Sequence, residues 1–136
     1  MNTKTSDRDL EYYLSGPKPE YEYRGQEMIG HMLDEYHVAF NYKEPYLVWE
    51  NGERRIRRPD FTLLTYNNTV INYIPRLNQT AERIKDIYKD NWIAALFIDD
   101  PFLAKPDWQQ RLYNELEKIF HQGLDYLTNN DSEDRL

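Results

Sequence analysis

Two short apolar segments separated by a pair of asparagines constrain this chain most. The first is opened by Arg57-Arg58-Pro59-Asp60-Phe61, and the second is Thr69-Val70-Ile71-Asn72-Tyr73-Ile74. Pro59 and Asp60 start a β-like segment, and Asn67-Asn68 supplies the turn that sends the chain back. Alternation along the second segment puts Val70, Asn72 and Ile74 on one face and Ile71 and Tyr73 on the other. Asn72, flanked by two apolar residues, either satisfies neighbouring backbone groups or belongs to a site.

The flanking sequence supplies partners for this hairpin. Asn51-Gly52 is a strong type I′ turn signal, because both residues accept positive φ. It joins Tyr46–Trp49 to a returning arm, Glu53-Arg54-Arg55-Ile56-Arg57-Arg58, which leads into 60–65. Val38–Tyr42 reads as another short strand. Upstream, Met28, Met32 and Tyr36 recur every four residues beside Ile29 and Leu33, which predicts a helix over 24–36 with Glu27 at the margin of its apolar face. Downstream, 79–89 predicts a helix with Ala81, Ile84, Ile87 and Tyr88 inward, closed by Asn91. Trp92–Ile98 reads as a strand buried on both faces, ended by Asp99-Asp100-Pro101. Asp107 followed by Gln110 has the spacing of a capping box. It opens a last helix with Trp108, Leu112, Leu116, Ile119 and Phe120 inward.

Helices interspersed with strands predict an α/β domain with a central mixed sheet flanked by helices. Its limits are 20–125, between a flexible arm at 1–19 that includes one or two helical turns at 9–14 and an acidic disordered tail at 126–136. The chain's 136 residues suffice for one core, and its 12 Tyr and 3 Trp make up for few Leu and Val. With no Cys there is neither a thiolate metal site nor a disulfide framework, which suits a reducing, cytoplasmic setting. No apolar run approaches the roughly 18 residues of a membrane span, and residues 1–15 are too polar for a signal peptide. The net charge of −7 argues against bulk-charge binding to nucleic acid and is compatible with a protein partner.

The order of these segments carries a resemblance. A helix bearing Glu27, hairpins, Arg58-Pro59-Asp60-Phe61, Val70-Ile71-Asn72-Tyr73, and then the helix–strand–helix half from Lys85 through Asp99-Asp100-Pro101 to Trp108 resemble the PD-(D/E)XK nuclease superfamily. The resemblance spans roughly residues 20–122 and implies a restriction-endonuclease-like fold. In that superfamily the PD aspartate and an acid on the next strand bind Mg²⁺, a Lys two residues on positions water, and a helix Glu completes the site. Mg²⁺ takes oxygen ligands and activates a bound water while a cation stabilises developing charge. By that resemblance Asp60 and Glu27 are metal ligands for Mg²⁺ or Mn²⁺, with Asn72 as a neutral third catalytic group.

Two positions depart from the pattern. Asn72 stands where the second acid belongs, and Ile74 where the Lys belongs. Arg58, Arg76 or Lys85 then offer a replacement cation. Arg55, Arg57, Arg58 and Arg76 are candidate phosphate contacts to DNA or RNA, and the Arg54–Arg58 run is equally a strand edge kept soluble by charge. Tyr12, Tyr13, Tyr21 and Tyr23 offer base-stacking surface or peripheral core, while His31, His37 and His121 lack zinc spacing. The resemblance thus leaves two functions open. One is a metal-dependent phosphodiesterase with a weakened site. The other is an inactive pseudo-nuclease serving as a binding or structural subunit.

Overall fold

The computed structural model describes residues 19–134, with side chains of the last helix described as far as Gln122. The expected arm, with its helical turns at 9–14, lies outside these residues except for Pro19. Helix α1 (Arg24–Glu35) leads to β1 (Phe40–Tyr42), β2 (Tyr46–Glu50), β3 (Glu53–Arg57) and β4 (Phe61–Leu63). A 3₁₀ turn, Leu64–Tyr66, then connects to β5 (Thr69–Tyr73), α2 (Gln79–Asp90), β6 (Ala95–Ile98), α3 (Asp100–Leu103) and α4 (Trp108–Asp134). The last helix runs through most of the stretch expected as a tail.

The main sheet is four-stranded and mixed, in the order β1-β4-β5-β6. The first three strands are antiparallel, and β6 joins parallel to β5 after the α2 crossover that a parallel pair requires. The expected α/β class with a central mixed sheet is met. The returning arm 53–58 does not continue into 60–65 as one strand. β2 and β3 form a separate two-stranded sheet, because buried Pro59 interrupts the ladder between β3 and β4. β1 instead pairs with β4, and its last residue, Tyr42, lies opposite Phe61, the first of β4. Residues 43–60 are therefore an excursion whose two ends meet, held at the neck by Lys43 N–H donating to the Asp60 carbonyl at 2.9 Å.

Strand alternation separates two apolar layers. Phe61, Leu63 and Ile71 face Ile29, Met32 and Leu33 of α1 and Trp108, Leu112 and Leu116 of α4. Val70 and Ala95, on the opposite face, pack with Tyr88 of α2, Val48 of β2 and Ile93. Helix α1 lies close to its neighbours through two glycines. A Cβ on Gly25 would fall 2.2 Å from the Tyr73 ring, and one on Gly30 would fall 2.1 Å from the Tyr21 hydroxyl.

Three expectations fail locally. Trp92 is not in a buried strand. It is the most exposed large apolar residue of the described region, at 88 %, and β6 begins only at Ala95. The reason is the way α2 ends. Ile93 N–H bonds to the Tyr88 carbonyl and Trp92 N–H to that of Lys89, a Schellman arrangement that places Trp92 at φ 61°. At the start of α4, Gln110 does not close a capping box with Asp107. Its amide donates forward to Asn114, and the Asp107 carboxylate takes Arg111 instead. Further along that helix Ile119 is half-buried and Phe120 is 40 % exposed, so the inner stripe weakens after Leu116.

Candidate functional site

The Asn67-Asn68 turn and the β4–β5 pairing bring Asp60 and Asn72 together. Their register places them opposite one another, one step beyond the Phe61 and Ile71 pair. The Asp60 N–H donates to Asn72 Oδ1 at 3.2 Å, and the Tyr73 N–H donates to Asp60 Oδ2 at 2.7 Å. The other carboxylate oxygen, Oδ1, lies 3.0 Å from Lys43 Nζ. With its side chain only 8 % exposed, Asp60 is a buried charge whose two oxygens are both engaged from within the chain. Lys43 also lies 3.6 Å from Glu22. Burial works against the Lys43 charge, but the Asp60 carboxylate outweighs it, helped by Glu22, and holds the ammonium above its usual range.

The Asn72 amide is oriented by its bond to Asp60. Since its Oδ1 accepts that N–H, Nδ2 is what it presents to the surrounding space, and Nδ2 is buried with no well-formed hydrogen bond. The neighbouring group is the Tyr88 hydroxyl of α2. Burial pushes the Tyr88 phenol up to about 12, with the nearby Asp60 charge adding to it and Arg57 and Asn72 opposing it. The hydroxyl of Thr62, buried on β4, likewise has no partner among the described residues. A strip of neutral polar groups thus runs along this face of the sheet beside the Lys43–Asp60 pair.

Glu27 lies elsewhere. It is exposed on the first turn of α1, in an open groove with Tyr21, Glu22, Tyr23, Arg24 and His31. The helix turns the preceding residue inward instead. Gln26, 2 % exposed, accepts at Oε1 from the N–H groups of Glu22 and Tyr23 and from the Tyr42 hydroxyl. Among the described residues no three His, Asp or Glu side chains gather to hold a metal ion. The donor set at Asp60 does not fit a divalent cation as arranged. An ammonium occupies one carboxylate oxygen, a backbone N–H the other, and the adjacent amide offers a donor where an oxygen ligand is needed.

The arginines divide into two kinds. Arg57 donates to both oxygens of Glu50, at 2.8 and 2.9 Å, and Arg55 lies between Glu50 and Glu53. Arg58 and Arg76 are exposed and have no carboxylate partner among the described residues. Arg54 has none either, and its guanidinium lies 5.3 Å from the centre of the Trp49 ring.

Lys43 is the residue that sequence reasoning missed. Its one local signal is its position directly after an apolar segment and before Glu44-Pro45, which does not distinguish it from any charged turn residue. No described helix is long and apolar enough to cross a membrane. No family model, no curated protein and no solved structure matches this chain.

Proposed function

We propose that this chain is a pseudo-nuclease: a PD-(D/E)XK-like, restriction-endonuclease-like domain whose metal site has been replaced by an internal ion pair, and which serves as a binding subunit. The order helix, antiparallel strands, crossover helix, parallel strand supports the scaffold, as does Asp60 at the entry to the middle strand. One observation carries the loss of activity. Both Asp60 oxygens are taken, one by Lys43 Nζ at 3.0 Å and the other by the Tyr73 N–H at 2.7 Å. Lys43 does at Asp60 what a metal ion would do, neutralising a buried carboxylate, and it leaves no Lewis acid to activate water.

The same lysine favours the other reading in one respect. An ammonium beside Asp60 could act as the cation that Ile74 does not supply, so a metal ion that displaced it from the carboxylate would regenerate an active arrangement with Mg²⁺ or Mn²⁺. Cleavage of labelled single- and double-stranded DNA and RNA in either metal decides between them. The variants are Asp60→Asn, which keeps an acceptor for the Tyr73 N–H, and Asn72→Glu with Ile74→Lys. A pseudo-nuclease gives no cleavage and no metal-dependent rise in melting temperature. Cleavage by the unaltered chain that Asp60→Asn removes overturns the proposal. Cleavage confined to the restored variant supports it, because the scaffold is then sound and only the donor set is lost.

A further inference from the structure

The β2–β3 hairpin is built unlike the rest of the surface. Antiparallel register puts Leu47 opposite Ile56 and Trp49 opposite Arg54, so these four share one face. The opposite face carries Val48, which is buried against Val70 and Tyr88, and this turns the first four outward. Leu47 and Trp49 are each 57 % exposed and Ile56 is 65 % exposed. The Asn91 side chain clamps this hairpin to α2, accepting from the Trp49 N–H at 2.8 Å and donating to the Trp49 carbonyl at 2.9 Å. The clamp occupies the outer edge of β2, because the Trp49 backbone groups that meet Asn91 point away from β3, and it leaves the far edge of β3 open.

Trp92 occupies a backbone position that favours glycine. A bulky side chain at positive φ at a helix C-terminus is strained, and an 88 % exposed indole gains little packing in return. Edge protection by charge accounts for the arginines of β3. It does not account for three large apolar side chains on the same hairpin.

We propose that this hairpin is the docking site for an extended, acidic and apolar segment of a partner protein, which adds as a strand to the free edge of β3. In the two-stranded sheet that edge has no neighbour among the described residues. Arg55 and Arg57 are already engaged by Glu50 and Glu53, so the positive charge left on this strand is that of Arg54, and a partner strand carrying Asp or Glu meets a complementary one. Arg54, stacked on Trp49 and without a carboxylate partner among the described residues, is the anchor for such an acid. Ile56, backed by Leu47 on the same face, receives the apolar side chains, and the main-chain groups of β3 supply the ladder. Tryptophan and arginine together are also the composition of interface hot spots.

The inference deepens the binding-subunit reading and rests on it. The two fail separately, because the metal and cleavage experiments turn on Asp60, which hairpin substitutions leave in place. The test uses fluorescent eight-residue peptides and fluorescence anisotropy on the full chain. One peptide alternates glutamate with valine and leucine, a second has lysine for glutamate, and a third has a central proline that removes a ladder donor. Oligothymidylate is the fourth probe.

The glutamate peptide is expected to bind at least about tenfold more tightly than the lysine or proline peptides, the discrimination that one or two charge-assisted contacts provide. Arg54→Glu should abolish that preference. Ile56→Ala should weaken binding severalfold while the melting temperature stays level, a pairing of effects that unfolding cannot mimic. Equal binding of all three peptides, or none by any, overturns the proposal. So does oligothymidylate binding that the glutamate peptide fails to compete and that Arg54→Glu removes, which would make the surface a nucleic-acid site.

Discussion

The β4–β5 pair and the β2–β3 hairpin are both antiparallel, and both are closed by asparagine-containing turns whose central residues take positive φ. They spend their side chains in opposite ways. Around β4–β5 every apolar side chain of Phe61, Leu63, Val70 and Ile71 is buried, and the one charged group, Asp60, is saturated by its own chain. On β2–β3 three large apolar residues and an arginine without a carboxylate partner among the described residues face outward. The charge that looks most like chemistry is thus engaged from within the chain, and the polar groups beside it that lack partners among the described residues, the Thr62 hydroxyl and Asn72 Nδ2, are buried. The spare capacity lies on the hairpin beside them.

One residue type, placed once in each region, tests this contrast most sharply. Ile71→Ala in β5 should cost about 2–5 kcal/mol, the usual price of truncating a fully buried aliphatic side chain. Ile56→Ala on the hairpin should stay within about 0.5 kcal/mol. Urea unfolding monitored by circular dichroism reads both, and similar losses at the two positions would remove the distinction. Next in size is Lys43→Met. It leaves the Asp60 carboxylate buried with only the Tyr73 N–H, and should cost about 2–3 kcal/mol, less than a fully buried pair because Lys43 is one-third exposed. A loss below about 0.5 kcal/mol would make the pair incidental.

The buried tyrosines supply a pH test. Tyr88 and Tyr66 are pushed up to about 12, Tyr88 by burial and Tyr66 by burial together with its bond to Glu117. The unfolded chain releases these protons first, near the ordinary value of 10.0. Their stabilisation is therefore complete below pH 10 and lost as pH rises towards about 12. Lys43, raised above 10.5, is lost in the same direction. Melting temperature should fall steeply across this range. Tyr88→Phe should flatten the fall by on the order of 2 kcal/mol, and an unchanged slope would show that the hydroxyl is hydrated in the folded chain. The last effect is a gain. Trp92→Gly should stabilise by about 1 kcal/mol by relieving the left-handed backbone.

What was legible in the sequence is what depends on neighbours in the chain. Asn51-Gly52 and Asn67-Asn68 mark their turns because amide and glycine residues tolerate positive φ by themselves, and the faces of β5 follow from alternation alone. What was not legible depends on distant partners or on backbone geometry. Lys43 reaches Asp60 only because β1 pairs with β4 across the excursion. Gln26 rather than Glu27 turns inward because Tyr42 and two backbone N–H groups wait for its oxygen, a choice that the apolar stripe of α1 does not encode. Trp92 read as strand core because hydropathy carries no information about a Schellman turn.

The neck between Tyr42 and Phe61 separates two kinds of evolutionary freedom. Because the excursion leaves and re-enters the sheet at one register pair, β1 and β4 would remain neighbours whatever length of chain hung between them. Its tip at Asn51-Gly52 is open, with nothing within 4 Å of the space a Gly52 side chain would fill. Lengthening a loop there costs only about 0.6 kcal/mol per doubling. Change is costly lower down, where Val48 covers Tyr88 and Lys43 fastens Asp60. A scaffold arranged in this way can exchange the reach and specificity of its projecting arm from one lineage to the next while the body that bears it stays the same.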